Sequence, residues 1–343
     1  MTLQALSAFS ARLGGDPLLI QGPGGNTSLK ATSATGRALL HVKASGLWLR
    51  DAVTRPCFVA LDLAALRERL RNAAGDPPLG DLVMAEDGGP AMRPSIETSL
   101  HAVLPHRVVV HTHSVNALAI LLRADARAVL APLLQGLRWT FVPYARPGLP
   151  LLRAVEAAGG ADADVLLLQN HGLVLGAADV DAADHLHAEL ERRLAQPFRT
   201  APPAQNSAAL DALGAPHGWR PARHDESHAL ALDPGSRELA ARGAFYPDHV
   251  VFLGPGPVRA VDAAVAPDLL RSPGKLLPVH GLGTLVPRTI SEGEEEMVRC
   301  LALVLSRCDP HAPVRTLSTA DEAELTGWDA EAHRRALDAA GRA

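Results

Sequence analysis

The hydrophobic pattern of this chain switches repeatedly between helical and strand periods. Leu3, Leu6, Phe9 and Leu13 recur at helical spacing and predict a short amphipathic helix over residues 2–13, closed by Gly14 and Gly15. Leu18, Leu19 and Ile20 read as a strand running into the glycine-rich turn GPGGNTS at residues 22–28. A second strand over residues 39–43 feeds the small-residue turn Ala44-Ser45-Gly46, and residues 59–71 supply a short strand and a charged helix. Residues 72–93 are rich in Gly, Pro and Asp and read as a loop. Ser95 can then cap a helix with Glu97 in its first turn, its buried face made by Ile96, Leu100, Val103 and Leu104, until Pro105 stops it. The β-branched run at residues 108–113 follows as a buried strand. Further helices are expected over residues 116–122, 126–134, 151–158 and 179–194. Strands are expected at 140–142 and, as one continuous apolar run, at 164–172, with the sheet continuing through 173–176.

Candidate chemistry gathers at the ends of these strands. Side chains two apart on a strand share a face, so His111 and His113 project together. Two such imidazoles can share a tetrahedral metal, and catalytic zinc sites commonly use three protein ligands plus an open position; paired histidines at strand ends also occur as ordinary residues. His171, at another strand end beside Gly172, is the natural third ligand, a backbone-bonded histidine being the alternative. The turn at residues 22–28 either converges its N–H groups on an anion, with the Thr27 and Ser28 hydroxyls as extra donors, or is a plain hairpin turn. Lys43 and the following turn could join it in cradling a phosphate. Neither turn is a P-loop or a dinucleotide fingerprint.

With 343 residues, the chain suits one large or two medium domains. Lys and Arg number 33 against 37 Asp and Glu, a net charge of −4, so there is no basic field for a nucleic-acid partner. Cys57, Cys300 and Cys308 form neither a disulfide framework nor a zinc-ribbon spacing, which suits a reducing cytoplasm. No segment reaches the length of a membrane span, and the N-terminal residues lack a basic lead followed by a long apolar run. The expectation is a cytoplasmic protein with no membrane partner.

Four motifs in order, GNTS (residues 25–28), KASG (43–46), PSIETSLH (94–101) with HTH (111–113), and QNHG (169–172), resemble the class II aldolase/adducin family across about residues 5–200. The resemblance implies a three-layer α/β/α sandwich around a mixed, mostly antiparallel sheet. It also implies a divalent metal, zinc first with manganese or cobalt as alternatives, held by His111, His113 and His171. Glu97 falls on the family's catalytic acid/base. Asn26, Thr27, Lys43, Ser45, Gly46 and Ser95 fall on its substrate- and phosphate-binding turns. Tyr144 falls near a tyrosine that in some aldolases assists, from a neighbouring subunit, proton transfer at the aldehyde oxygen. The activity implied is cleavage of a ketose or ketose phosphate by a retro-aldol reaction through a metal-stabilised enediolate, in a homo-oligomer. Decarboxylation of a phosphorylated oxo-sugar acid is the enzymatic alternative, since KASG is shared with such relatives. A non-catalytic scaffold is the alternative from another class, although adducin-like members lack the three histidines present here.

The chain runs well past the length of a typical aldolase of this kind. Residues 200–204 read as a boundary, giving a class II aldolase-like domain over 1–200 and a smaller C-terminal α/β extension over 206–343. Within the extension, residues 246–255 echo 104–113 and residues 276–282 echo 167–173, which suggests a shortened, degenerate partial repeat without metal ligands. The layout also resembles the aldolase half of fused aldolase/short-chain dehydrogenase proteins, but with no Gly-rich nucleotide fingerprint no dehydrogenase half is expected. His217, His224 and His228 read as solvated loop residues, and residues 321–339 as an amphipathic tail helix.

Overall fold

Alternation and helical spacing are realised in a seven-stranded sheet with helices on both faces. The computed structural model describes residues 2–84, 92–202, 207–328 and 336–338. Residues 85–91 of the expected loop, 203–204 of the expected boundary and 329–335 and 339 of the expected tail helix lie outside the described residues. Two compact units are present: residues 1–117 with 127–194, and residues 118–126 with 195–343.

In the first unit the strands are β1 (Asn26–Thr32), β2 (Ala38–Lys43), β3 (Phe58–Asp62), β4 (Val108–Thr112), β5 (Trp139–Val142), β6 (Val165–Leu168) and β7 (Gly172–Ala177). They lie in the order β3-β2-β1-β4-β7-β6-β5. Every pairing is antiparallel except β5 with β6. The helices are α1 (Leu3–Gly14), α2 (Leu63–Asn72), α3 (Thr98–Val103), α4 (Val115–Leu121), α5 (Ala126–Leu133), α6 (Leu149–Ala157) and α7 (Val180–Leu194), α4 running on into the second unit. α1 and α7 pack together over β1, β4 and β7, whereas α2, α3 and α6 pack together against the β2 side of the sheet. Leu40, Val42, Val59 and Leu61 alternate inward to meet Leu63, Leu66 and Leu70 of α2. The fold is the three-layer α/β/α sandwich with a mixed, mostly antiparallel sheet.

Three expected elements of this unit differ. Leu18-Leu19-Ile20 is not a strand: Asp16 captures the Leu18 N–H with its carboxylate (2.8 Å), and its carbonyl accepts from Leu19 and Ile20, coiling the chain into turns. The helix after Pro94 starts at Thr98, two residues later than expected, and Ser95 does not cap it. Ser95 instead stays extended beside the KASG turn, donating its N–H to the Lys43 carbonyl, because Ala44 and Pro94 form a bridge there. The apolar run at 164–177 is not one strand but a hairpin, in which Leu168 pairs with Gly172 and Asn170 takes φ +54°. Asparagine tolerates that left-handed conformation better than most residues.

The second unit carries a three-stranded antiparallel sheet in the order β8-β10-β9, made by β8 (Trp219–Pro221), β9 (Leu277–Val279) and β10 (Gly283–Pro287). Its helices are α8 (Ser207–Gly214), α9 (Ala229–Leu232), α10 (Pro234–Ala240), α11 (Pro247–Leu253), α12 (Ala266–Leu269), α13 (Glu292–Arg307) and α14 (Thr319–Thr326). α13 opens with a capping box between Ser291 and Glu294. The segment read as an echo of β4 is helix α11, with Pro247 in its first turn and all seven residues buried, so the first half of the suggested repeat is corrected. A β-branched run buried on all sides does not by itself distinguish strand from helix. His228 is also corrected: it is buried, and its Nδ1 accepts the Thr284 N–H at 3.0 Å. The expected tail helix over residues 321–339 is helical at 321–326, where α14 ends before Gly327, and again at residues 336–338.

Within the sheet, the Lys30 Nζ donates to the His106 carbonyl at 2.7 Å. Burial, with Arg67 nearby, pushes its pKa down to about 7 from 10.5. Between those values the unfolded chain binds a proton that the folded chain does not, so this side chain makes stability rise with pH through that window. Lys30→Met is expected to raise the melting temperature at and below neutral pH and to flatten the alkaline rise. Thermal unfolding across pH checks this; a variant whose slope matches wild type would refute it.

Candidate metal centre

The site is assembled where β4 lies between β1 and β7. His111 stands opposite Asn26 of β1 and Val174 of β7, and His113 follows one residue past the end of β4 on the same face. The β6–β7 turn returns His171 to this pair. Gly172 is required for that approach: a Cβ there would collide with the Thr112 carbonyl and stand 3.3 Å from both the His111 and His113 rings.

The three rings, all buried, lie with centroids 4.8, 4.9 and 5.4 Å apart. One nitrogen from each falls within 4.8 Å of the others. A carbonyl only accepts, so the 2.9 Å contact between His111 Nδ1 and the Leu173 oxygen places a proton on Nδ1. In the neutral ring Nε2 then presents a lone pair, and it sits 3.1 Å from His113 Nε2. Two such nitrogens need a shared proton or a shared cation between them. A tetrahedral ion with bonds of about 2.0–2.1 Å to imidazole brings its ligand nitrogens to similar separations, so the donor set fits a divalent metal. The cluster can hold a metal ion.

Glu97, 5 % exposed, closes the site. Its Oε2 accepts from Asn26 Nδ2 at 2.8 Å and lies 3.3 Å from His111 Nε2; Oε1 lies 3.4 Å from His171 Nε2. Burial alone would raise the carboxyl pKa. The fields of His111 and His171 together with the Asn26 hydrogen bond outweigh it and bring the value to about 2.

The expected binding turns are only partly brought here. Asn26, Ser95 and Glu97 meet directly, Asn26 Nδ2 reaching Ser95 Oγ at 3.2 Å. The KASG turn lies alongside, its Ser45 N–H donating to the Arg93 carbonyl, and Gly46 takes φ +75°. Lys43 is 3 % exposed, and its Nζ donates to the Pro23 and Gly25 carbonyls (2.6 and 3.0 Å), so it ties one turn to the other. Thr27 turns away: strand alternation sends its hydroxyl to Ser10 of α1, 2.7 Å off, on the opposite face of β1 from Asn26. Tyr144 lines a cavity of about 680 Å³ with Arg127, Trp139 and Phe141, to which neither Glu97 nor any of the three histidines contributes. A residue given no role in the sequence, His101, is fully buried against Asn26 and Ser28. Its spacing of four from Glu97 on a helix was the available signal.

A curated Bacillus subtilis (strain 168) protein, described as the uncharacterized oxidoreductase YuxG, is 34% identical over 174 residues, which is 47% of this chain and 24% of that one. The chain thus spans about a quarter of the length of the curated relative it matches. Among solved structures, the N-terminal class II aldolase domain of a conserved Thermoplasma acidophilum protein is similar at 26% identity. That likeness covers 55% of this chain and 89% of that one, with a TM-score of 0.47. An L-fuculose 1-phosphate aldolase is similar at 20% identity, covering 56% of this chain and 82% of that one, with a TM-score of 0.40. The family described as Class II Aldolase and Adducin N-terminal domain matches residues 4–196. With that match over more than half its length, the chain belongs to the class II aldolase and adducin N-terminal domain family.

Proposed function

We propose that this protein is a metal-dependent class II aldolase that cleaves a ketose or ketose phosphate by a retro-aldol reaction. The observation carrying this reading is the buried Glu97 carboxylate, 3.3 and 3.4 Å from two imidazole nitrogens of a three-histidine cluster and anchored on one oxygen by Asn26. His111, His113 and His171 would hold a divalent ion. Zinc suits an all-imidazole set, and manganese or cobalt are the alternatives. Such an ion, when bound, supplies the electron sink beside the substrate carbonyl.

Glu97 moves the proton. In the addition direction its carboxylate takes a proton from the carbon next to the carbonyl, and in the cleavage direction it returns that proton to the same carbon. Anchoring of Oε2 by Asn26 leaves Oε1, which accepts no hydrogen bond from any described residue, to carry it. Ser45, Gly46 and Ser95 surround the far end of the substrate with hydroxyl and N–H donors and fix its register, while the Asn26 amide is held on Glu97 and Ser95. Lys43 supports those turns from behind, through its bonds to the Pro23 and Gly25 carbonyls. Tyr144 is assigned to proton transfer at the aldehyde oxygen in the site of a neighbouring copy, within a homo-oligomer. The aldolase-like domain is placed at residues 1–200 and the extension at 206–343.

Elemental analysis is expected to find about one divalent metal per chain, lost in the His111→Ala/His113→Ala variant. A wild-type protein that stays metal-free after reconstitution would sink the reaction. Glu97→Gln, nearly isosteric and unable to take a proton, is expected to keep its metal and lose turnover roughly 10²–10⁴-fold in a ketose-phosphate cleavage assay. Release of carbon dioxide from a phosphorylated oxo-sugar acid, with no ketose cleavage, would replace the aldolase by a decarboxylase.

A further inference from the structure

We propose that His101 is a positioning residue that locks the Asn26 amide with its NH₂ group toward Glu97, an inference that rests on the reading of Glu97 as the proton-transfer group. Four side chains form the relay. Ser28 Oγ lies 2.7 Å from His101 Nδ1, His101 Nε2 meets Asn26 Oδ1 in a short contact, and Asn26 Nδ2 lies 2.8 Å from Glu97 Oε2. All four are buried, His101 and Ser28 completely.

The direction of every bond in this relay follows from one fact. A side-chain amide keeps its shape when rotated by half a turn, so only its partners decide which end points where. Asn26 Nδ2 lies against two oxygens, Glu97 Oε2 at 2.8 Å and Ser95 Oγ at 3.2 Å, so the amide donates on that side. Asn26 Oδ1 is then left facing His101 Nε2, which must carry the proton. A neutral imidazole has one donor and one acceptor nitrogen, so Nδ1 accepts and the Ser28 hydroxyl donates. Burial keeps the ring neutral, pushing its pKa down to about 3. Both ring nitrogens are thereby used on Ser28 and Asn26. The contribution of His101 is made through Asn26 and not by contact with substrate.

The two elements are matched for this purpose. Asn26 and Ser28 are two apart on β1, and a two-residue strand repeat spans about 6.6 Å. Glu97 and His101 are four apart at the start of α3, and four helical residues rise about 6 Å. The pairs therefore meet rung against rung, Asn26 lying between Glu97 and His101. Without the His101 N–H, nothing on that side opposes rotation of the amide. Its oxygen could then turn toward the carboxylate, or its NH₂ group leave, and the Oε1 lone pairs would lose their aim at the histidine cluster.

Long-range ¹H–¹⁵N correlation of the imidazoles in the metal-loaded protein reads the tautomer directly, the His101 signals being assigned by their absence in His101→Gln. The expected result at neutral pH is a single neutral Nε2–H tautomer, lost or mixed in Ser28→Ala. An Nδ1–H tautomer in the wild type would overturn the proposal. Kinetics give the second readout. His101→Leu is expected to bind metal at the wild-type stoichiometry, keep its KM and lose kcat roughly 10–100-fold. His101→Gln, whose amide N–H can reach the Nε2 position, should recover much of that loss. Wild-type kcat in a folded, metal-loaded His101→Leu would also overturn it. If His101→Leu fails to fold, Ser28→Ala and His101→Gln carry the same comparison. Should the wild type cleave no ketose phosphate, the proposed reaction falls, and the tautomer measurement still decides for or against His101.

Discussion

An ionised carboxylate taken out of water costs several kcal/mol unless the protein answers its charge, and Glu97 is buried. The local architecture is that answer. His111 and His171 approach its two oxygens, Asn26 donates to one of them, and Ser95 and His101 hold Asn26 in turn. Remove the histidines and burial would drive the carboxyl toward its neutral form. The sheet delivers the histidines and the carboxylate to one place.

Strand order explains how it does so. β1 lies between β2 and β4, so the turn before it and the turn after β2 come to the same edge as the end of β4. Lys43 at the end of β2 reaches across to the carbonyls of residues 23 and 25, and Gly25 takes φ +57° where a Cβ would stand 3.0 Å from the His111 carbonyl. A buried lysine spent on carbonyls costs solvation that only several hydrogen bonds offset. It stiffens the loop carrying Asn26, and through Asn26 the support reaches Glu97.

Much of this was legible in the sequence, for reasons that differ by residue. His111 and His113 followed from strand alternation alone, and the third histidine from its place beside a glycine. Why that glycine is needed became visible only with the hairpin, since an apolar run reads alike whether it continues or folds back after Leu168. Thr27 and Lys43 were read as substrate donors because composition shows that a donor is present and not which partner it has already found. The first shows Ser10 in its place, the second two carbonyls. Pro247–Leu253 was misread because a buried β-branched segment of seven residues suits either element. His101 was passed over because its spacing of four from Glu97 shows only a shared helix face, while its role lies in the direction of its hydrogen bonds.

The second unit takes in residues 118–126 as well as everything after 194. In this stretch Ala124 donates to the Pro313 carbonyl, and Leu122 accepts from the Arg315 N–H. Leu118, Ile120, Leu121 and Leu122 are almost wholly buried. A chain made from its N-terminus releases this apolar stretch long before residues 313 and 315 exist, so it must wait, exposed, for its own neighbours to be synthesised. Cutting the chain after residue 200 would make that wait permanent. The nascent protein therefore carries a sticky segment until residues 313 and 315 have been translated, a natural foothold for a chaperone.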